Sequence, residues 1–182
     1  MQSGCTQGGN EDGRGAGAMK PSLQTLSFDG AILQRGFWLY VWEITPASAA
    51  PLYYVGRTGD SSSTHAQSPF NRMGQHLGFK EASNALRRRL LAQGVTPEAC
   101  HFKLVALGPL DDESTEDTRA EHDERRDRIA AMEKALADLM LECGYQVINR
   151  VHCKKTLDLQ VFERVRLAFA DAFSKIREGM QP

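Results

Sequence analysis

Between Gly36 and Pro46 nearly every position is apolar, with Trp38, Leu39, Tyr40, Val41, Trp42 and Ile44 in one short run. Aromatic and β-branched residues between helix breakers favour extended backbone, so the run predicts a strand over 37–45. Residues 46–51 are a turn by composition. Residues 52–56 predict a second strand, forming a hairpin with the first. Gly56 ends it where a side chain would obstruct close approach. Phe102, Leu104 and Ala106 alternate along a third predicted strand, 101–107. Gly108-Pro109 then breaks the chain.

Elsewhere the apolar spacing is helical. Pro69 suits the first turn of a helix continuing over 70–77. Residues 81–93 predict another, stopped by Gly94. A long helix is expected from a Ser114 or Thr115 cap to about Cys143, ended by Gly144. Its apolar stripe is Ile129, Met132, Leu136, Leu139 and Met140. Residues 145–149 read as a short extended piece. Residues 156–178 predict one amphipathic helix, with Val161, Phe162, Val165, Ala168, Phe169, Ala172, Phe173 and Ile176 on its stripe. The expected fold class is therefore α+β: a small central antiparallel three-stranded sheet flanked by helices, with a C-terminal amphipathic helix. Residues 1–21 are Gly-rich and polar, and are expected to be a disordered tail. Residues 22–36 form a lead-in, 37–150 the domain, and 151–182 a helical extension packed on it.

Composition narrows the functions open to this fold. The chain has 182 residues, enough for one domain with a proper core. Net charge is −1, so any nucleic-acid contact has to be local. Arg87, Arg88 and Arg89, with Lys80 and Lys103, supply such a bias; phosphate contact and a solvated helix face are equally good readings of it. The acid-rich stretch 111–127 would repel DNA and suits a helix start. Apolar runs are too short for a membrane helix. Four cysteines form no CxxC pair, which points to free thiols in a reducing compartment and a cytoplasmic protein. Cys100-His101 and His152-Cys153 lack zinc-finger spacing. His65 and His122 read as surface residues.

Six side chains remain that together suggest chemistry. Tyr40 and Tyr54 lie on the paired strands, where side chains on one face come close. Arg72 and His76 are one helical turn apart and share a face. A guanidinium matches phosphate with a planar fork of donors, and an imidazole holds or accepts a proton near neutral pH. Glu133 falls at the edge of the long helix's apolar stripe, where a carboxylate is costly without compensation. Asn149 follows an apolar pair and is placed to pin a tyrosine or a phosphate. Taken singly, each is an ordinary strand aromatic, exposed helix residue or turn amide. All six in this order are harder to attribute to chance.

The set resembles the GIY-YIG nuclease family over 37–149. Tyr40 matches the tyrosine of the first motif, and Tyr54-Val55-Gly56 matches the second. Trp38 and Leu39 stand where the family's glycine and isoleucine would be, and the loop 57–68 is longer than in compact members. The resemblance implies a metal-dependent DNA endonuclease. Tyr40, Tyr54, Arg72, His76, Glu133 and Asn149 would be catalytic, and Glu133 would bind one Mg²⁺ or Mn²⁺. Arg57, in a position often basic in the family, joins Arg87, Arg88 and Lys80 as expected DNA contacts. Glu121 and Glu124 are alternatives on the same helix; Glu133 is preferred for its distance from Asn149 and its semi-apolar setting. A silent DNA-binding module on the same scaffold and a protein-interaction domain are the competing readings. Cutting both strands of a duplex needs two sites or two events, which leaves a homodimer open.

Overall fold

The computed structural model describes residues 22–59, 66–79, 84–111 and 118–179. Three antiparallel strands, β1 (Phe37–Pro46), β2 (Leu52–Arg57) and β3 (Cys100–Asp111), form a sheet in the order β2-β1-β3. The helices are α1 (Pro69–Leu77), α2 (Ala85–Ala92), α3 (Arg119–Glu142), α4 (Leu159–Ala172) and α5 (Ser174–Glu178). The fold is α+β. Among the described residues no helix is long and apolar enough to cross a membrane.

Strand alternation sorts β1 onto two faces. Phe37, Leu39 and Val41 join Val55 and the α3 residues Ile129, Met132, Leu136 and Met140 in one core. Tyr40, Trp42 and Ile44 join Leu52, Tyr54 and the α2 residues Leu86 and Leu90 in a second core on the opposite face. The central strand thus has no solvated face, which is why its sequence is apolar at almost every position.

Gly108-Pro109 does not end β3. The strand continues to Asp111, with a register shift in which Phe37 pairs with Asp111 and Leu39 with Leu107. Trp38 alone therefore faces 108–110. Proline is tolerated because β3 is an edge strand, where a missing N–H breaks no ladder. The Ser114 and Thr115 caps lie outside the described residues. Thr118 is the N-cap of α3 and makes a capping box with Glu121. At the other end Gly144 adopts φ +76, the left-handed conformation that closes a helix.

The predicted 156–178 helix is two helices. Phe173 takes extended backbone (φ −128, ψ 98) and separates α4 from α5. The break seats its ring against Tyr53 and Tyr145, at centroid distances of 6.0 and 5.8 Å. The Tyr145 hydroxyl accepts from the Lys175 amide at 3.0 Å, satisfying one free donor at the start of α5. Val165, Phe169, Phe173 and Ile176 enter the α3-side core as the stripe predicts, whereas Ala168 and Ala172 are exposed and Ala170 is buried in their place. His122 is also buried, packed on Phe37 at 5.3 Å, and is not the surface residue its sequence context suggests.

Candidate active site

The strand register brings the two phenols together. Tyr40 pairs with Gly56 and Trp42 with Tyr54, so Tyr40 and Tyr54 are diagonal neighbours on one face. Gly56 is required here: a Cβ would lie 2.6 Å from Cζ and 2.7 Å from Oη of Tyr40. The glycine makes room for the Tyr40 ring to lie across β2.

Helix α1 delivers the next pair. Ser68 caps it by accepting from the Asn71 amide at 3.2 Å, and Pro69 occupies the first turn. The buried His76 sits one turn after Arg72, against both phenols. Its Nε2 is 2.6 Å from the Tyr40 hydroxyl. Ring centroids are 5.6 Å apart for Tyr40 and 5.1 Å for Tyr54. Burial, seconded by the Arg72 charge, pushes the His76 pKa down to about 4. The ring is therefore neutral at pH 7, and the tautomer protonated on Nδ1 lets Nε2 accept from the Tyr40 hydroxyl.

Burial likewise raises the Tyr40 pKa well above the ordinary phenol value, against the charge and hydrogen bond of Arg72. Tyr54 is raised by burial and by Glu133, with Arg89, Arg72 and Arg88 opposing. Both phenols are thus held protonated unless positive charge is added nearby.

Glu133 reaches the same place from α3. Its Oε2 accepts from Arg57 Nε at 3.0 Å, and Arg57 also donates to the Gly59 carbonyl. Burial raises the Glu133 pKa, while the charges of Arg57 and Arg72 restrain it. Tyr40, Tyr54, Gly56, Arg57, Arg72 and Glu133 line one open pocket of about 110 Å³. Glu121 bonds its own helix cap at Thr118 and Glu124 is exposed; neither lines this pocket.

Two predicted roles change. Asn149 bonds the β2 backbone and is not among the residues lining this pocket. Its Oδ1 accepts from the Val55 amide at 3.0 Å, and its Nδ2 donates to the Val55 carbonyl at 2.7 Å. The segment before it bonds Tyr53 (Tyr53 N to Gln146 O, 2.9 Å; Ile148 N to Tyr53 O, 2.8 Å) and covers the outer edge of β2. Asn149 adds one more rung with its side chain, fixing the backbone between Tyr54 and Gly56. Arg87 is not turned to the site: it pairs with Glu98, donates to the Leu77 carbonyl and lies over the Phe79 ring. Arg88 is exposed. Lys80 and His65 lie outside the described residues.

Arg89 is the cation of this cluster that acts most strongly on Tyr54. Helical spacing held that signal, since Leu86, Arg89 and Leu90 fall on one face and both leucines are buried.

A lone carboxylate beside a polar pocket has the donor chemistry of a Mg²⁺ site, which keeps several waters and takes few protein ligands. It is not the ligand set of a structural zinc site. Among the described residues no group of three or more His, Cys, Asp or Glu side chains is placed to cage an ion. The chain matches no family model, no curated protein and no solved structure.

Proposed function

We propose that this chain is a metal-dependent DNA endonuclease of the GIY-YIG type, hydrolysing phosphodiester bonds at the Tyr40–Glu133 pocket. One observation carries the reading. Side chains from β1, β2, α1 and α3, separated by up to 93 positions in sequence, line a single pocket containing two phenols, two guanidiniums and one half-buried carboxylate. Such a set suits a phosphodiester better than a neutral substrate, because it offers a phosphate its charge partner, hydroxyl donors and a cation ligand together.

Glu133 would hold the divalent cation, which would supply positive charge against the negative charge developing at the phosphate. The rest is work for the protein's own groups. Arg72 orients the scissile phosphate. The Tyr54 hydroxyl donates to a phosphoryl oxygen. Tyr40 takes the proton of the attacking water while passing its own to Nε2 of His76, a relay for which the 2.6 Å contact is already formed. The neutral state of His76 keeps that acceptor open throughout the neutral range. Arg57 orients the Glu133 carboxylate and shares the charge of the phosphate with Arg72. The resemblance implies products ending in a 5′-phosphate and a 3′-hydroxyl.

Nicking of supercoiled plasmid with and without Mg²⁺ tests the reading. The chain is expected to nick only with the cation, and Glu133→Gln to lose at least about 100-fold in rate with an unchanged melting curve. Mg²⁺-independent binding without nicking would select the silent DNA-binding module instead. Equal nicking by Glu133→Gln would discard the assignment of the carboxylate.

A further inference from the structure

Arg57 holds an oxygen that a cation at Glu133 would use. Its Nε donates to Glu133 Oε2 at 3.0 Å, and the two side chains are 20% and 17% exposed. Solvent and salt therefore screen the pair less than an ion pair on the open surface. The guanidinium is also fixed from its own strand. Arg57 pairs with Leu39 of the central strand, and its Nη1 donates to the Gly59 carbonyl. Gly59 takes φ +76, and a Cβ there would lie 2.5 Å from the Phe37 ring, so only glycine presents its carbonyl in this way.

Charge gives the contact its consequence. Among the described residues lining the pocket, the guanidiniums of Arg57 and Arg72 face the single carboxylate of Glu133. Phenols are uncharged at neutral pH, so the lining carries a net positive charge. A divalent cation that approaches alone meets a carboxylate already paired and a pocket that repels it. A phosphodiester changes both conditions. It brings a negative charge, and its oxygens are an alternative acceptor for the Arg57 fork. We propose that Arg57 is an electrostatic latch on Glu133, which keeps divalent cations weakly bound until a nucleic-acid phosphate takes over its guanidinium, so that cation and nucleic acid bind cooperatively. The proposal rests on the nuclease reading. Linkage makes the effect reciprocal: whatever factor the nucleic acid adds to cation affinity, the cation adds to nucleic-acid affinity.

The test is Mn²⁺ binding to the full chain, followed by loss of the free ion's paramagnetic resonance signal, a readout that needs no turnover. Without nucleic acid, Arg57→Gln is expected to bind Mn²⁺ about tenfold tighter than the wild type. Arg57→Lys keeps the charge and should bind it as weakly as the wild type. A short DNA duplex at saturation should tighten Mn²⁺ about tenfold in the wild type and far less in Arg57→Gln. Glu133→Gln with the same duplex measures the uptake by DNA itself, which is subtracted. The wild type's response to the duplex tests the coupling without any substitution, and melting curves show that the variants fold. Mn²⁺ affinity in folded Arg57→Gln equal to or weaker than in the wild type would overturn the latch, as would a wild type indifferent to the duplex. Mg²⁺-dependent nicking by the wild type would leave the nuclease reading standing in either case. Absence of nicking, joined to Mn²⁺ uptake no greater than that of Glu133→Gln, would remove both readings.

Discussion

His76 shows how far surroundings govern a single residue. In water an imidazole titrates near neutrality, but here burial and Arg72 hold its pKa near about 4. The unfolded chain takes up this proton below about 6.5 while the folded protein refuses it. Stability from this group is therefore complete at neutral pH and is lost as pH falls from about 6.5 toward about 4. The difference is on the order of 3 kcal/mol. Urea midpoints measured across that range should fall with pH in the wild type and fall less steeply in His76→Gln. Equal slopes would show that another group carries the dependence. The sequence displayed the Arg-x-x-x-His spacing, but not this charge state. The shift comes from β1, β2 and α1 closing over the ring, which no local pattern records. The Glu133–Arg57 pair is a similar case: its partners lie 76 positions apart, and each alone reads as an ordinary surface charge.

At the scale of elements, strand content was legible because an apolar run between Gly36 and Pro46 admits few alternatives. The faults came where an element's fate depends on its neighbours. Gly108-Pro109 reads as a breaker, yet an edge strand has no ladder for proline to interrupt on its outer side. The last helix reads as continuous, yet Phe173 leaves the helical path to reach Tyr53 and Tyr145. Asn149 belongs here as well, since its amide takes the position of a strand backbone against Val55. Asn149→Ala should leave the Val55 amide and carbonyl buried without partners and cost about 2–4 kcal/mol, read from denaturant unfolding. It should also slow nicking by loosening Tyr54. A loss of stability with full activity would confine Asn149 to a structural role.

On the scale of the whole molecule, residues 159–176 are part of the core that supports β1, not an appendage to it. Phe173→Ala removes a buried ring from the contact with Tyr53 and Tyr145 and should cost about 3–5 kcal/mol. That corresponds to a fall in Tm of about 10 °C for a chain of this size. A change of a degree or two would mean that α5 packs independently of the sheet. The sequence by itself determined the presence of the three strands, the limits of α1, the C-terminal end of α3 and the six residues worth watching. Those properties follow from period and local backbone preference, which act within a few positions. Only the tertiary structure decided which residues share the pocket, that Arg57 engages the carboxylate, that Asn149 braces β2 and that His76 is uncharged. These depend on distances and burial between segments far apart in the chain, where a contact is set by packing and leaves no local periodicity to read.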